Sequence, residues 1–320
     1  MLRLLARTPN LLWDGHLLLS ELQNTGICYL EVPFIQLRYD EILSACTALF
    51  ASPAIEGFYC GIPSDGHEVG FHSFALNAVK PVTRGRCMGG IYDGLPHSGI
   101  WCHASAGNPV HEELISSQKV FDGCLAALHS VAIGVGLSLM SQFEEIDRLS
   151  RLCGLASQHS ANHLRIIYSP AASDRTALSV NAQTGMVCRH RPHVDNCVLT
   201  LVPFGFSLGG SLYHYSLSNG ESGKWQKVEV PPGAVAVFAG TDLETFTSDT
   251  LFRVRGLVHQ VLATPEEALH GRHSLIYRLC VDPDAAQLTR LDGSDFSFRK
   301  QIVATGAEYY RQLVNYRKGD

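Results

Sequence analysis

Two histidine–carboxylate pairs with one residue between them, His111/Glu113 and His193/Asp195, are where this sequence could begin a metal site. With 15 histidines and 30 acidic residues in 320, chance alone supplies one or two such pairs. The surroundings must therefore choose between them. His111 and Glu113 follow Asn108-Pro109, an N-cap and first-position pair with acids in the first turn, so they read as a helix start. Residues i and i+2 diverge by about 200° on a helix and cannot hold one ion. His193 and Asp195 lie in extended chain just before the apolar run Val198–Val202. There, i and i+2 point to the same side. A third ligand from a distant strand would complete a two-histidine, one-carboxylate set. Such a set leaves coordination positions open and suits non-haem Fe(II) that must bind oxygen and an organic ligand. His259, in Gly256-Leu-Val-His-Gln-Val-Leu, is the preferred third ligand. Its competitor His214 precedes the turn at Asn219-Gly220, a position that directs it to solvent or a sheet face.

Downstream of His259, Arg272 and Ser274 share one face of an extended segment. An arginine fork beside a hydroxyl suits a carboxylate. Arg278 has the same parity but lies about 13 Å beyond Ser274 at ~3.3 Å per residue. Only one of the two arginines can meet a ligand bound at the metal. Arg272 is the preferred anchor, and Arg278 reads as a surface ion pair.

These residues need strands to hold them, and the pattern supplies strands in the second half of the chain. Leu164–Tyr168, Val198–Val202, Leu212–Leu217, Trp225–Val230, Ala234–Ala239, Leu257–Leu262 and Ser274–Val281 all have strand composition, with turns at Asn219-Gly220, Pro231-Pro232-Gly233 and Gly240. Seven short strands at this spacing predict a sandwich or jelly roll. The first half reads as helical. Residues 17–24 and 37–50 are helix candidates flanking a strand at Thr25–Val32. A long helix starts at Asn108-Pro109 and should end near Gly134 or Gly136. Ser141 and Glu144 form a capping box for another, ending at Gly154. The stretch 58–107 reads as irregular, and Phe296–Tyr316 returns to helical spacing.

Composition bounds the rest. Hydrophobic residues make up 46% and charged residues 17%, which excludes bulk disorder. A net charge of −5 argues against non-specific nucleic-acid binding. Arg189, His190 and Arg191 could still form a basic rim for an acidic substrate. Ten cysteines with no C-x-x-C pair read as reduced thiols in a cytoplasmic protein. Arg3 and Arg7 ahead of Asp14 leave an organelle signal open, although no small-residue cleavage site follows. The longest uncharged run, Gly123–Phe143, contains His129 and Gln142 and reads as a buried helix, not a membrane span.

Pro192-His-Val-Asp-Asn-Cys-Val-Leu-Thr-Leu-Val resembles the H-x-D strand of the isopenicillin N synthase-like Fe(II)/2-oxoglutarate-dependent dioxygenases. Gly210-Ser-Leu, Trp225-Gln-Lys-Val, Pro231-Pro-Gly-Ala-Val-Ala-Val-Phe-Ala-Gly, Val258-His259-Gln-Val and Arg272-x-Ser274 follow in that family's order. The match covers about 162–283. Upstream, Asn24-Thr-Gly-Ile-Cys-Tyr-Leu is similar to the family's G-F-F-Y-L strand. The resemblance implies one oxygenase domain over 1–320. Its parts would be an α+β, mainly β fold: a helical layer over 1–160, a double-stranded β-helix (jelly roll, cupin-like) over 161–283, and a C-terminal helical extension over 284–320. It implies that His193, Asp195 and His259 hold Fe(II), and that Arg272 and Ser274 bind 2-oxoglutarate. O2 would then be used to hydroxylate or desaturate a small-molecule substrate, with no nucleic acid or membrane as partner. Two departures bear on the co-substrate. The gap from His259 to Arg272 is longer than is usual in the family. In Leu164-Arg-Ile-Ile-Tyr-Ser-Pro, Ile167 and Ser169 replace an Asn and a Tyr, which leaves Tyr168 as a weak stand-in. Two alternatives stay open: an Fe(II) oxidase of the isopenicillin N synthase type that needs no 2-oxoglutarate, and a non-catalytic jelly-roll binding protein.

Overall fold

The computed structural model describes residues 4–5, 13–32, 39–52, 70–74, 97–103, 115–143, 162–169, 171–172, 180, 184–195, 197–203, 209–216, 224–247, 253–280, 288–289 and 295–296. Two sheets form its centre. The larger holds eight strands in the order β1 (Leu4–Leu5), β2 (Ile27–Glu31), β10 (Ala234–Ala239), β7 (Leu199–Val202), β12 (Arg272–Leu279), β5 (His163–Ser169), β4 (His97–His103) and β3 (Gly70–Phe74). All neighbours in it are antiparallel except β1 and β2. The smaller sheet is antiparallel, in the order β6 (Val187–His193), β11 (His259–Ala263), β8 (Ser211–Ser216) and β9 (Lys224–Lys227).

Strand alternation sorts the side chains of the large sheet into two layers. Leu164, Ile166, Leu199, Leu201, Val235, Val237, Leu275 and Tyr277 pack outward against helices α1 (Gly15–Thr25), α2 (Tyr39–Ala51) and α3 (Ile115–Met140). The opposite face carries Ile27, Tyr29, Val202, Ala236, Phe238 and Ile276. These meet Leu212, Val228 and Leu257 from the small-sheet side. Both faces of β10 are therefore covered, which is why its six residues are uniformly apolar and buried. Two antiparallel sheets enclosing an apolar interior, with helices on one outer face, make a jelly-roll-like core.

Helix α1 starts at Asp14, whose carboxylate accepts from the His16 and Leu17 amides, and stops at Gly26 with φ 77°. The helix candidates at 17–24 and 37–50 are realised as α1 and α2. The long helix α3 runs past Gly134 and Gly136 to Met140. Gly134 does not end it because the residue serves packing: a Cβ there would lie 3.0 Å from the Trp13 ring. The segment Lys119–Met140 is long and apolar enough to cross a membrane. In the structure it packs against α1, α2, β7 and β12. Its His129 is accounted for within this layer, with Nδ1 2.6 Å from the buried Tyr277 hydroxyl.

Elsewhere the structure departs from the sequence expectation. The stretch 58–107 contains β3 and β4, which extend the large sheet beyond β5. Strand β9 stops at Lys227, short of the expected Val230, although Val228 is buried and Glu229 exposed beyond it. Ser141 turns its hydroxyl back to the Ser138 carbonyl. The second capped helix it was to begin, His111/Glu113 and the start of the long helix lie outside the described residues. So does the C-terminal helix, apart from Phe296, which pairs with Leu288 between β13 (Leu288–Thr289) and β14 (Asp295–Phe296).

Candidate active site

His193 closes β6 in the small sheet, and Asp195 lies beyond it on the way to β7 in the large sheet. The pair does not sit on one strand, as its spacing suggested; it spans the crossover between sheets. The loop is fastened from below by backbone bonds. Asp195 O accepts from the Thr241 amide, Cys197 O from Asp242, and Val198 O from Gly240. The last of these precedes helix α4 (Thr241–Thr247). His259 opens β11 and is the direct register partner of His193.

The three side chains converge. His193 Nε2 lies 3.5 Å from Asp195 Oδ1, and His259 Nε2 lies 3.7 Å from Asp195 Oδ2. One ligand atom from each residue falls within 4.8 Å of the others. Ligands at about 2.1 Å from one ion in cis positions stand roughly 3 Å apart, so a small closure would seat a metal. His259 Nδ1 is 3.0 Å from the Leu257 carbonyl. A carbonyl only accepts, so the proton sits on Nδ1 and the Nε2 lone pair faces the site. Burial, then His193, holds His259 well below the usual histidine range, which keeps it in the neutral form a ligand needs. Phe238 packs against its ring at 4.9 Å. His193 is the accessible member, 26% exposed against 2% for Asp195.

Asp195 is gripped by two further residues. Thr200 Oγ1 donates to Oδ2 at 2.7 Å, and Arg278 Nη2 donates to Oδ1. Arg278 is thus a buried ion-pair partner of a candidate ligand, not a surface arginine. Burial and the like charge of Arg165 push its pKa down, and the Asp195 carboxylate is the anion beside it. Its signal in the sequence was a charge at the parity of Arg272 inside the apolar run Leu275–Cys280. Thr200 was the lone hydroxyl in Val198–Val202.

Arg272 and Ser274 come together as expected, the guanidinium donating from Nη1 to the hydroxyl. They lie on the β12 face that carries Ile276 into the space between the sheets. Arg272 Nε also donates to the Gly210 carbonyl at 3.2 Å. Gly209 permits this approach, because a Cβ there would lie 2.8 Å from Arg272 Cβ. Burial and neighbouring Arg189 lower the Arg272 pKa to about 10, so it stays charged at neutral pH. Among the described residues, no acidic side chain pairs with Arg272.

The long segment between His259 and Arg272 is ordered by its own capping box. Thr264 N donates to Glu267 Oε2 at 2.8 Å, and Glu267 N to Thr264 Oγ1 at 3.1 Å. Arg189 Nη2 ties this turn down through the carbonyls of Ala268 and His270. Arg189 is 1% exposed, so it cannot belong to a basic rim. His190 sits edge-on to the His193 ring at 4.3 Å.

Tyr168 falls on the other side of the sheet. It pairs with His273 in register and stacks on it at 4.8 Å, with Phe50 of α2 at 5.3 Å. The face that holds Arg272 and Ser274 carries Ser169 and Ile167 instead. Burial, then Arg272, lowers the His273 pKa from 6.5 to about 4. The unfolded chain therefore takes up this proton first as pH falls. Stability present above about 6.5 is lost between 6.5 and 4. His273→Phe should flatten that part of the acid dependence, read by urea unfolding at pH 7 and pH 5.

Of the two positions expected for His214, solvent or a sheet face, the structure takes the sheet face. It is buried, directly opposite His259 in register, and its Nδ1 has no hydrogen-bond partner among the described residues. Parity alone could have put it there, since β8 alternates Leu212 and His214 inward.

No protein-family model and no curated protein matches this sequence. Solved structures do. A full-length Neurospora crassa protein, solved in complex with alpha-KG and thymine, has TM-score 0.65 at 16% identity, covering 91% of each chain. The rice dioxygenase for auxin oxidation has TM-score 0.59 at 16% identity, covering 92% of this chain and 90% of that one. Its Arabidopsis thaliana counterpart, solved with 2-oxoglutarate, has TM-score 0.58 at 12% identity, covering 88% and 93%.

Proposed function

We propose that this chain, which has the fold of the Fe(II)- and 2-oxoglutarate-dependent oxygenases, is itself such an enzyme and oxidises a small molecule. The two facing sheets would be the double-stranded β-helix of that fold. His193, Asp195 and His259 would hold the iron. The observation that carries the co-substrate is the buried Arg272 beside Ser274, a guanidinium with no acidic partner among the described residues. A buried cation of this kind calls for an anion, and the carboxylate of 2-oxoglutarate meets a planar fork plus a hydroxyl.

Bound iron and 2-oxoglutarate would supply the oxidising chemistry. The chain's own residues supply the rest. His259 and Asp195 are held in ligand geometry before any ion arrives. Phe238, Ile276, Val202, Leu212 and Leu257 keep water out of the interior. The accessible edge of His193 would be the side from which substrate approaches. Thymine and auxin, named for two of the similar structures, support a small molecule as substrate. Cys28, Cys46, Cys124, Cys188, Cys197 and Cys280 are free thiols, which supports a reducing, cytoplasmic setting.

The test is an anaerobic titration of metal-free protein with Fe(II), then 2-oxoglutarate, followed by visible absorption. A weak charge-transfer band from chelated 2-oxoglutarate is expected, and it should vanish in His259→Ala. Iron binding without the band would sink the 2-oxoglutarate assignment and favour an oxidase. No iron binding would sink the enzyme.

A further inference from the structure

Asp195 is 2% exposed, and a carboxylate there needs compensation. Its two donors come from adjacent strands at one register position: Thr200 on β7 stands directly opposite Arg278 on β12. Each takes one oxygen, Thr200 taking Oδ2 and Arg278 taking Oδ1. A carboxylate offers about four lone-pair sites. Two are spent on this cross-strand clamp. The same two oxygens face the imidazoles, Oδ1 toward His193 and Oδ2 toward His259. The carboxylate is therefore held between a wall of sheet donors and the histidine pair, with its charge already matched.

We propose that Arg278 is the built-in countercharge of Asp195, letting the chain fold without its metal and setting metal affinity below what the three ligands alone would give. This rests on the metal reading of His193, Asp195 and His259. Arg278 touches no reacting atom; it is a positioning residue that acts through Asp195. With Arg278 present, a divalent cation meets a carboxylate whose charge is matched, and the guanidinium and the ion repel each other. With Arg278 removed, no lysine or arginine among the described residues pairs with the carboxylate, and the ion supplies the countercharge. Coupling of this kind is reciprocal: what the guanidinium takes from metal affinity, the metal takes from the worth of the guanidinium.

The experiment compares wild type, Arg278→Met and Arg278→Lys, each metal-free and with Co(II), by thermal melting and by titration of the Co(II) visible absorption. Metal-free Arg278→Met should melt roughly 5–15 °C below wild type. Saturating Co(II) should recover most of that loss, and Co(II) should bind this variant at least tenfold more tightly than wild type. Arg278→Lys should lie between the two, and it carries the same comparison if the Met variant does not fold. An equal loss of melting temperature with and without Co(II), or unchanged or weaker Co(II) affinity, would show a merely structural arginine and overturn the proposal. Failure of wild type to bind Co(II) at all would instead remove the metal site, and this proposal with it.

Discussion

Arg272→Met is expected to weaken 2-oxoglutarate binding by roughly 30- to 3000-fold while leaving Fe(II) binding near the wild-type level. Truncating one partner of a buried, hydrogen-bonded charge pair costs about 2–5 kcal/mol, at 1.4 kcal/mol per decade. The range fits this site because Arg272 is buried and donates to Ser274 and to Gly210 O. The bound carboxylate would lose its only cation from this strand position. Arg189 cannot replace it, being committed to the Ala268 and His270 carbonyls. Arg278 is engaged with Asp195. Equilibrium dialysis with labelled 2-oxoglutarate in the presence of Fe(II) reads the effect. Wild-type affinity in the variant would show that the carboxylate binds elsewhere. Loss of iron as well would show that Arg272 supports the fold of the whole site.

Gly240→Ala should be among the most damaging single methyls in the described chain. A Cβ at 240 would lie 2.1 Å from the Cys197 carbonyl oxygen and 2.6 Å from that of Asp195. Both atoms are backbone, and both belong to the loop that presents the carboxylate ligand. Neither can rotate away, so the loop must lift from the 240–242 amides that hold it. Overpacking typically costs about 1–3 kcal/mol, and a clash with fixed backbone belongs at or above the top of that range. Metal affinity should fall with it, because Asp195 moves relative to His259. Gly256→Ala is the control. Its Cβ would meet Val194 Cγ1 at 2.7 Å, Glu244 Oε2 at 3.1 Å and the Gly240 carbonyl oxygen at 3.3 Å, so no backbone atom lies as close as at 240. Denaturant unfolding with and without Co(II) checks both. A Gly240→Ala protein as stable and as metal-competent as Gly256→Ala would refute the account of the loop.

Much of the scaffold was legible because its signals are local. Alternation and turn residues marked the strands that became β5, β7, β8, β10, β11 and β12, each within a few residues. The strand β6 was missed because Val187–His193 is mostly polar, with Arg189, His190, Arg191 and His193 among its residues. Its identity comes from pairing with β11, which no local pattern encodes. Strands β3 and β4 were missed for a similar reason: their evidence is the hydrogen-bonded edge of β5. Gly134 has the type of a helix stop, but it is a packing contact with Trp13, and α3 continues past it to Met140.

Residue type and spacing alone determined which groups could coordinate a metal and an anion: His193, Asp195 and His259, then Arg272 and Ser274. Those choices depend on ligand chemistry and on strand parity, and both are written along the chain. The tertiary structure decided how each group is employed. It set His193 at the end of β6 and Asp195 in the loop that crosses to β7, buried Arg189 under the 264–271 turn, and put Tyr168 on the helix side of β5. It also set Arg278 opposite Thr200, so that one carboxylate receives both donors. An arginine's partner is chosen by the strand across from it, and that neighbour is 78 positions away in the numbering of residues 200 and 278. Charge compensation in an interior is a property of the packed sheets, and no reading of one strand at a time can supply it.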